Sequence, residues 1–81
     1  MSWTRTNCAE CHFRIAGRIF GKVALRYSDG LWFASVREIN GRLVSWGRKT
    51  PIGERKTIEG AQLLVERRVA KWIEKWPGAT V

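Results

Sequence analysis

Cys8, Cys11 and His12 form a Cys-x-x-Cys-His run, and three chemistries use that spacing. Covalent haem attachment needs export and a distal axial ligand. The opening Met-Ser-Trp-Thr-Arg-Thr holds no apolar signal segment, Met1 is the only methionine and His12 the only histidine, so haem has little to build on. A structural zinc draws on the same three residues but wants four protein ligands, and adjacent Cys11 and His12 are awkward to aim at one ion. A redox dithiol belongs between a strand and a helix of a thioredoxin-like unit, and this run does not sit in such a place. The expectation is therefore no cofactor, with two small, partly buried, reduced thiols in an N-terminal turn or short helix. Zinc at Cys8, Cys11 and His12 stands as the rival.

The second set of chemistry-bearing residues is basic and aromatic. Lys22, Arg26, Phe33, Arg37, Arg42, Trp46, Arg48 and Lys49 crowd the middle of an 81-residue chain whose formal net charge is +8. Arginine outnumbers lysine ten to five, and the planar guanidinium suits phosphate and base edges. Such a surface fits a polyanion, and nucleic acid is the expected partner, DNA ahead of RNA. The acids are scattered, and no serine–histidine–acid set, phosphate-binding glycine loop or paired carboxylates can be found, so the chain is not expected to be an enzyme or to take a small-molecule substrate. No run is long and apolar enough to span a membrane. Met1 reads as the native start of a complete small protein, expected in the cytoplasm of a bacterial or phage-infected cell.

Those residues need a scaffold, and the turns supply it. Asp29-Gly30 and Asn40-Gly41 tolerate the positive φ of tight hairpin turns and are flanked by β-branched and aromatic runs. They predict a meander of three antiparallel strands, at about Ile19–Tyr27, Leu31–Ile39 and Arg42–Arg48. Two-residue turns would set Leu25 opposite Ala34, Val23 opposite Val36, Ser35 opposite Trp46 and Phe33 opposite Arg48. Alternation then sorts the side chains. Val23, Leu25, Trp32, Ala34, Val36 and Leu43 form an apolar face, while Lys22, Arg26, Phe33, Arg37, Arg42, Trp46 and Arg48 share the other. Gly17 and Gly21 suggest bends in the run leading into the first strand, and the Phe13–Ile15 alternation suggests a short strand that extends or covers the sheet. Residues 49–56, KTPIGERK, read as a solvated loop because Pro51 and Gly53 break regular structure. Thr57 can cap a helix over 57–76, whose Ile58, Ala61, Val65, Val69, Trp72 and Trp76 form one apolar stripe. The reading is a single α+β domain over 1–81: an N-terminal segment (1–17), a three-stranded sheet (18–48), a loop (49–56) and a helix (57–76) lying on the apolar face. Trp72 is expected near Val23, Leu25 or Trp32, and Trp76 at one end of the core.

DGLWFASVREINGRLVSWGR followed by TIEGAQLLVERRVAKWIEKW resembles the strand-strand-strand-helix unit of plant AP2/ERF domains, and is similar to the arm-binding domain of lambda-type tyrosine recombinases. The resemblance spans about Lys22 to Trp76 and rests on the hairpin spacing and on Trp32, Arg37, Arg42, Trp46 and Arg48. It implies a DNA-binding module whose sheet enters the major groove, with strand arginines and tryptophan in contact. Two rivals remain. Trp3, Phe13 and Ile15 could fold over the second face and bury Phe33 and Trp46. Alternatively, small basic tryptophan-rich proteins occur among phage inhibitors, including anti-CRISPR proteins, and could use the same face on a host protein or nucleoprotein complex.

Overall fold

The computed structural model describes residues 2–75. Six strands precede one helix: β1 (Ser2–Asn7), β2 (Glu10–Ile15), β3 (Arg18–Arg26), β4 (Leu31–Ile39), β5 (Arg42–Leu43), β6 (Arg48–Arg55) and α1 (Ile58–Lys75). The strands make one antiparallel sheet in the order β1-β2-β3-β4, with β5 and β6 both pairing β4. The class is α+β, as the sequence predicts, but the sheet has twice the expected strands. Trp76 lies outside the described residues.

The additional strands have separate causes. Residues 2–15 form a hairpin that extends the sheet beyond β3 rather than covering a face. Asn7 Oδ1 accepts from Ala9 N at 2.8 Å to close its turn. Ala16 (φ 52°) and Gly17 (φ 79°) form the next tight turn, with Ile15 opposite Arg18. Alanine rarely adopts that conformation, so the turn has no conspicuous sequence mark. Phe20 is the unpaired residue where the β2–β3 register shifts.

The expected loop at 49–56 is instead most of β6. Pro51 is tolerated because β6, among the described residues, pairs only with β4, leaving its other edge without a ladder to feed. A register shift between Ala34 and Ser35 absorbs Ile52, with Gly53 at φ 147°.

The central hairpins set the faces. The β3–β4 connection is four residues, not two: Arg26 pairs Leu31, Leu25 pairs Trp32 and Val23 pairs Ala34. Gly30 N donates to Arg26 O at 2.9 Å, and Asp29 Oδ1 accepts from Leu31 N at 3.1 Å. Relative to the expected register the strands slip by two residues, which preserves every face assignment. Asn40-Gly41 is a two-residue turn, Asn40 at φ 52° and Gly41 at φ 78°. Pairing then stops after Leu43, because Val44–Gly47 bulges out of the ladder. Val44 N donates to Arg37 O at 3.1 Å and Gly47 N to Val44 O at 2.9 Å. The chain rejoins β4 with Arg48 opposite Glu38 and Lys49 opposite Arg37.

Helix α1 begins where Thr57 Oγ1 accepts from Gly60 N at 3.1 Å. It packs over β3, β4, β5 and β6. Its Ala61, Val65 and Val69 are buried with Val23, Ala34, Val36 and Leu43 of the sheet. Trp72 borders Leu43, Gly41 and Glu38, so it closes the β4–β5 end of the core rather than packing near Trp32. Trp3 and Phe13 reach the same side as the helix: their rings lie 4.9 Å apart, and Trp3 Nε1 donates to Glu66 Oε1 at 3.3 Å. Beneath the helix, Glu38 is 7% exposed, and both its oxygens accept from Arg68 Nη2, at 2.9 and 2.7 Å.

Candidate nucleic-acid interface

With one helix on one side, the other side of the sheet is left open by every described element. Trp3 and Phe13 belong to the helix side, so the expected rival in which they bury Phe33 does not form. Alternation places Glu10, His12 and Arg14 of β2 on the open face, beside Lys22 and Arg26 of β3, Phe33, Ser35 and Arg37 of β4, and Lys49 of β6.

The expected site residues do not stay together. Arg48 pairs Glu38, which faces the helix, so Arg48 belongs to the opposite side of the sheet. The expected register placed it opposite Phe33. The Val44–Gly47 bulge shifts pairing by five residues, and an odd shift exchanges faces. Trp46 sits in that bulge, 74% exposed, and not within a strand opposite Ser35. Arg42 lies beside Ile39 at the far end of β4. Lys49, expected at the periphery, is instead central. His12, Glu10 and Arg14 join the face because residues 10–15 are a strand, which their alternation with Phe13 and Ile15 signals.

The cations on this face are not equivalent. Arg26 is engaged from three sides: its guanidinium bonds Asp29, lies 3.6 Å from Glu54 and stacks 4.1 Å from the Phe33 ring centroid. Phe33 therefore carries Arg26 rather than an open ring surface. Arg14 Nη1 donates to Gly17 O at 3.2 Å. Lys22, Arg37 and Lys49 instead converge on a depression of about 250 Å³ lined also by Glu10, His12, Ser35 and Phe20. Lys22 Nζ lies 2.5 Å from Glu10 Oε1, and Glu10 also accepts from Thr6 Oγ1 at 3.2 Å. The Lys22 hydrogen bond holds Glu10 below the usual carboxylate range, and Glu10 in turn raises Lys22. Lys49 is pushed down, first by the neighbouring Lys22 ammonium and then by burial. Burial also holds His12 below the ordinary imidazole value. Like charges are thus gathered at one point with a single carboxylate among them.

Cys8, Cys11 and His12 are not gathered. Cys8 is exposed in the β1–β2 turn. Cys11 is buried against the helix, with Gln62 Nε2 3.5 Å from its Sγ. His12, the next residue of the strand, lies on the opposite face. The three cannot converge on one ion, and among the described residues no cluster of three His, Cys, Asp or Glu could hold a metal. No described helix is long and apolar enough to cross a membrane. No family model, curated protein or solved structure matches the chain.

Proposed function

We propose that the protein binds nucleic acid, duplex DNA by preference, through the open face of its sheet. The carrying observation is the cluster of Lys22, Arg37 and Lys49 on a face that no described element covers, with only Glu10 to offset three cations. Crowding of that kind is relieved by a polyanion. Strands lie about 4.8 Å apart, so the sheet from β1 to β6 spans roughly 20 Å and is wider than a major groove of about 12 Å. Its centre therefore meets the phosphate backbone, which favours sequence-tolerant contacts over base reading.

The test is a salt titration of binding to a labelled random duplex by fluorescence anisotropy. Three phosphate contacts give a slope near −3 in log K against log salt. Lys49→Ala and Arg37→Ala should each flatten the slope by about one, whereas Arg26→Ala, whose charge is already answered by Asp29 and Glu54, should change it little. No binding to duplex at low salt would overturn the reading and turn attention to a host-protein partner.

A further inference from the structure

The depression at the centre of the open face is concave, and its charge is a specific number. Lys22, Arg37 and Lys49 contribute three positive charges and Glu10 one negative, a formal +2 with His12 neutral. The cations come from three different strands, β3, β4 and β6, so the sheet and not a flexible loop fixes their spacing. The remaining lining is Ile19, Phe20 and Gly21 at the irregular end of β3, with Ser35, Val36 and His12. Its volume of about 250 Å³ is several times that of one water, which takes about 30 Å³.

We infer that this depression is a seat for a terminal phosphomonoester, so that the protein favours nucleic acid ends bearing a phosphate. The inference rests on the nucleic-acid reading above and adds which part of the polymer the site takes. An internal phosphodiester carries one negative charge, and its chain must leave past the rim on two sides. A terminal monoester carries about −1.5 to −2 near neutral pH and leaves by one side. It matches the +2 of the depression and fits its concavity. Charge-assisted hydrogen bonds from two ammonium groups and one guanidinium can serve its three outer oxygens. Lys22 need not leave Glu10, because an ammonium has three donors. The depressed affinity of Lys49 for its proton accords with a site awaiting an anion. Two neighbouring cations of this face do not compete for the group, since Arg26 is held by Asp29 and Glu54 and Arg14 donates to Gly17 O.

Two 3′-fluorescein 12-nucleotide duplexes, identical except for a 5′-phosphate or a 5′-hydroxyl, test this by anisotropy against the intact protein. The phosphorylated duplex should bind about tenfold more tightly, the scale of one added unit of charge in contact with the cluster. Lys49→Gln and Arg37→Gln should each bring that ratio close to one, with far-UV circular dichroism unchanged. Arg26→Gln should preserve it. Millimolar inorganic phosphate should compete with the phosphorylated duplex more strongly than with the hydroxylated one. Equal binding of the two duplexes by the wild type would overturn the end-recognition inference while leaving the nucleic-acid reading intact. Binding of neither would overturn both, and a ratio that survives Lys49→Gln and Arg37→Gln would remove the depression as the seat.

Discussion

Gly21 marks a close approach of sheet and helix, and replacing it with alanine gives a sharp test of the packing. A Cβ at this position would lie 2.4 Å from Val65 Cγ1 and 3.2 Å from Phe13 Cβ. Favourable carbon–carbon separations are about 3.5–4.0 Å, so the added methyl overlaps Val65 by more than 1 Å. Val65 is fully buried and, being β-branched on a helix, has essentially one rotamer; it cannot turn aside. Helix and strand must separate instead, and overpacking of this kind costs about 1–3 kcal/mol. Alanine recovers roughly 0.5–1 kcal/mol of backbone entropy relative to glycine. The net loss for Gly21→Ala is about 1–2 kcal/mol, or a fall in Tm of roughly 5–15 °C for a domain of this size. Val65→Ala alone should cost about 2 kcal/mol through the cavity it leaves. In the double variant the new methyl takes the vacated space, so the combined loss should fall short of the sum by about 1–2 kcal/mol. Urea unfolding followed by far-UV circular dichroism measures all four corners of the cycle. A neutral Gly21→Ala, or losses that simply add, would refute the proposed closeness of β3 to α1.

Two further outcomes follow from buried and titratable groups. Arg68→Ala leaves the Glu38 carboxylate beneath the helix without its guanidinium and should lower stability by about 2 kcal/mol, less than a fully enclosed pair because the Arg68 side is half open to water; the double change Glu38→Leu with Arg68→Leu should recover most of that loss in the same urea assay. For acid stability the signs run together: His12 is held below its ordinary 6.5 by burial and Glu10 below its ordinary 4.5 by Lys22, so the unfolded chain binds more protons at both. Stability is therefore fully present above each ordinary value and lost as pH falls below it and through the lowered folded value. Tm should drop in two stages, His12→Gln should remove the upper one, and a Tm that stays flat between about pH 8 and pH 5 would contradict the assignment.

Local signals in the chain proved reliable where the structure they specify is itself local. Asn40-Gly41 forms the turn it advertises, because both residues accept positive φ. The spacing of Ala61, Val65 and Val69 picks out the buried side of the helix, and Thr57 caps it. Alternation alone assigns Val23, Ala34 and Val36 to the core, because it is blind to the even slip of two residues between the expected and the observed β3–β4 register. Pro51 and Gly53 argued for a loop and stand in a strand; their local preference is overridden by pairing with β4, at an edge where a missing N–H does no harm.

The amino-acid order alone thus determined the class, the helix with its buried stripe, two central strands and the excess of positive charge. Tertiary structure decided which charges meet. Whether Arg48 or Lys49 reaches the open face depends on how many residues the chain leaves unpaired between β5 and β6, and the ladder to β4 settles that together with the lack of room at Gly47, where an added Cβ would lie 3.0 Å from the backbone of Glu38. The same holds for residues 2–15, which become strands because β3 offers an edge to pair with. Strand pairing joins residues far apart in the chain, so its register is a property of the assembled sheet, and the candidate site is read from that register.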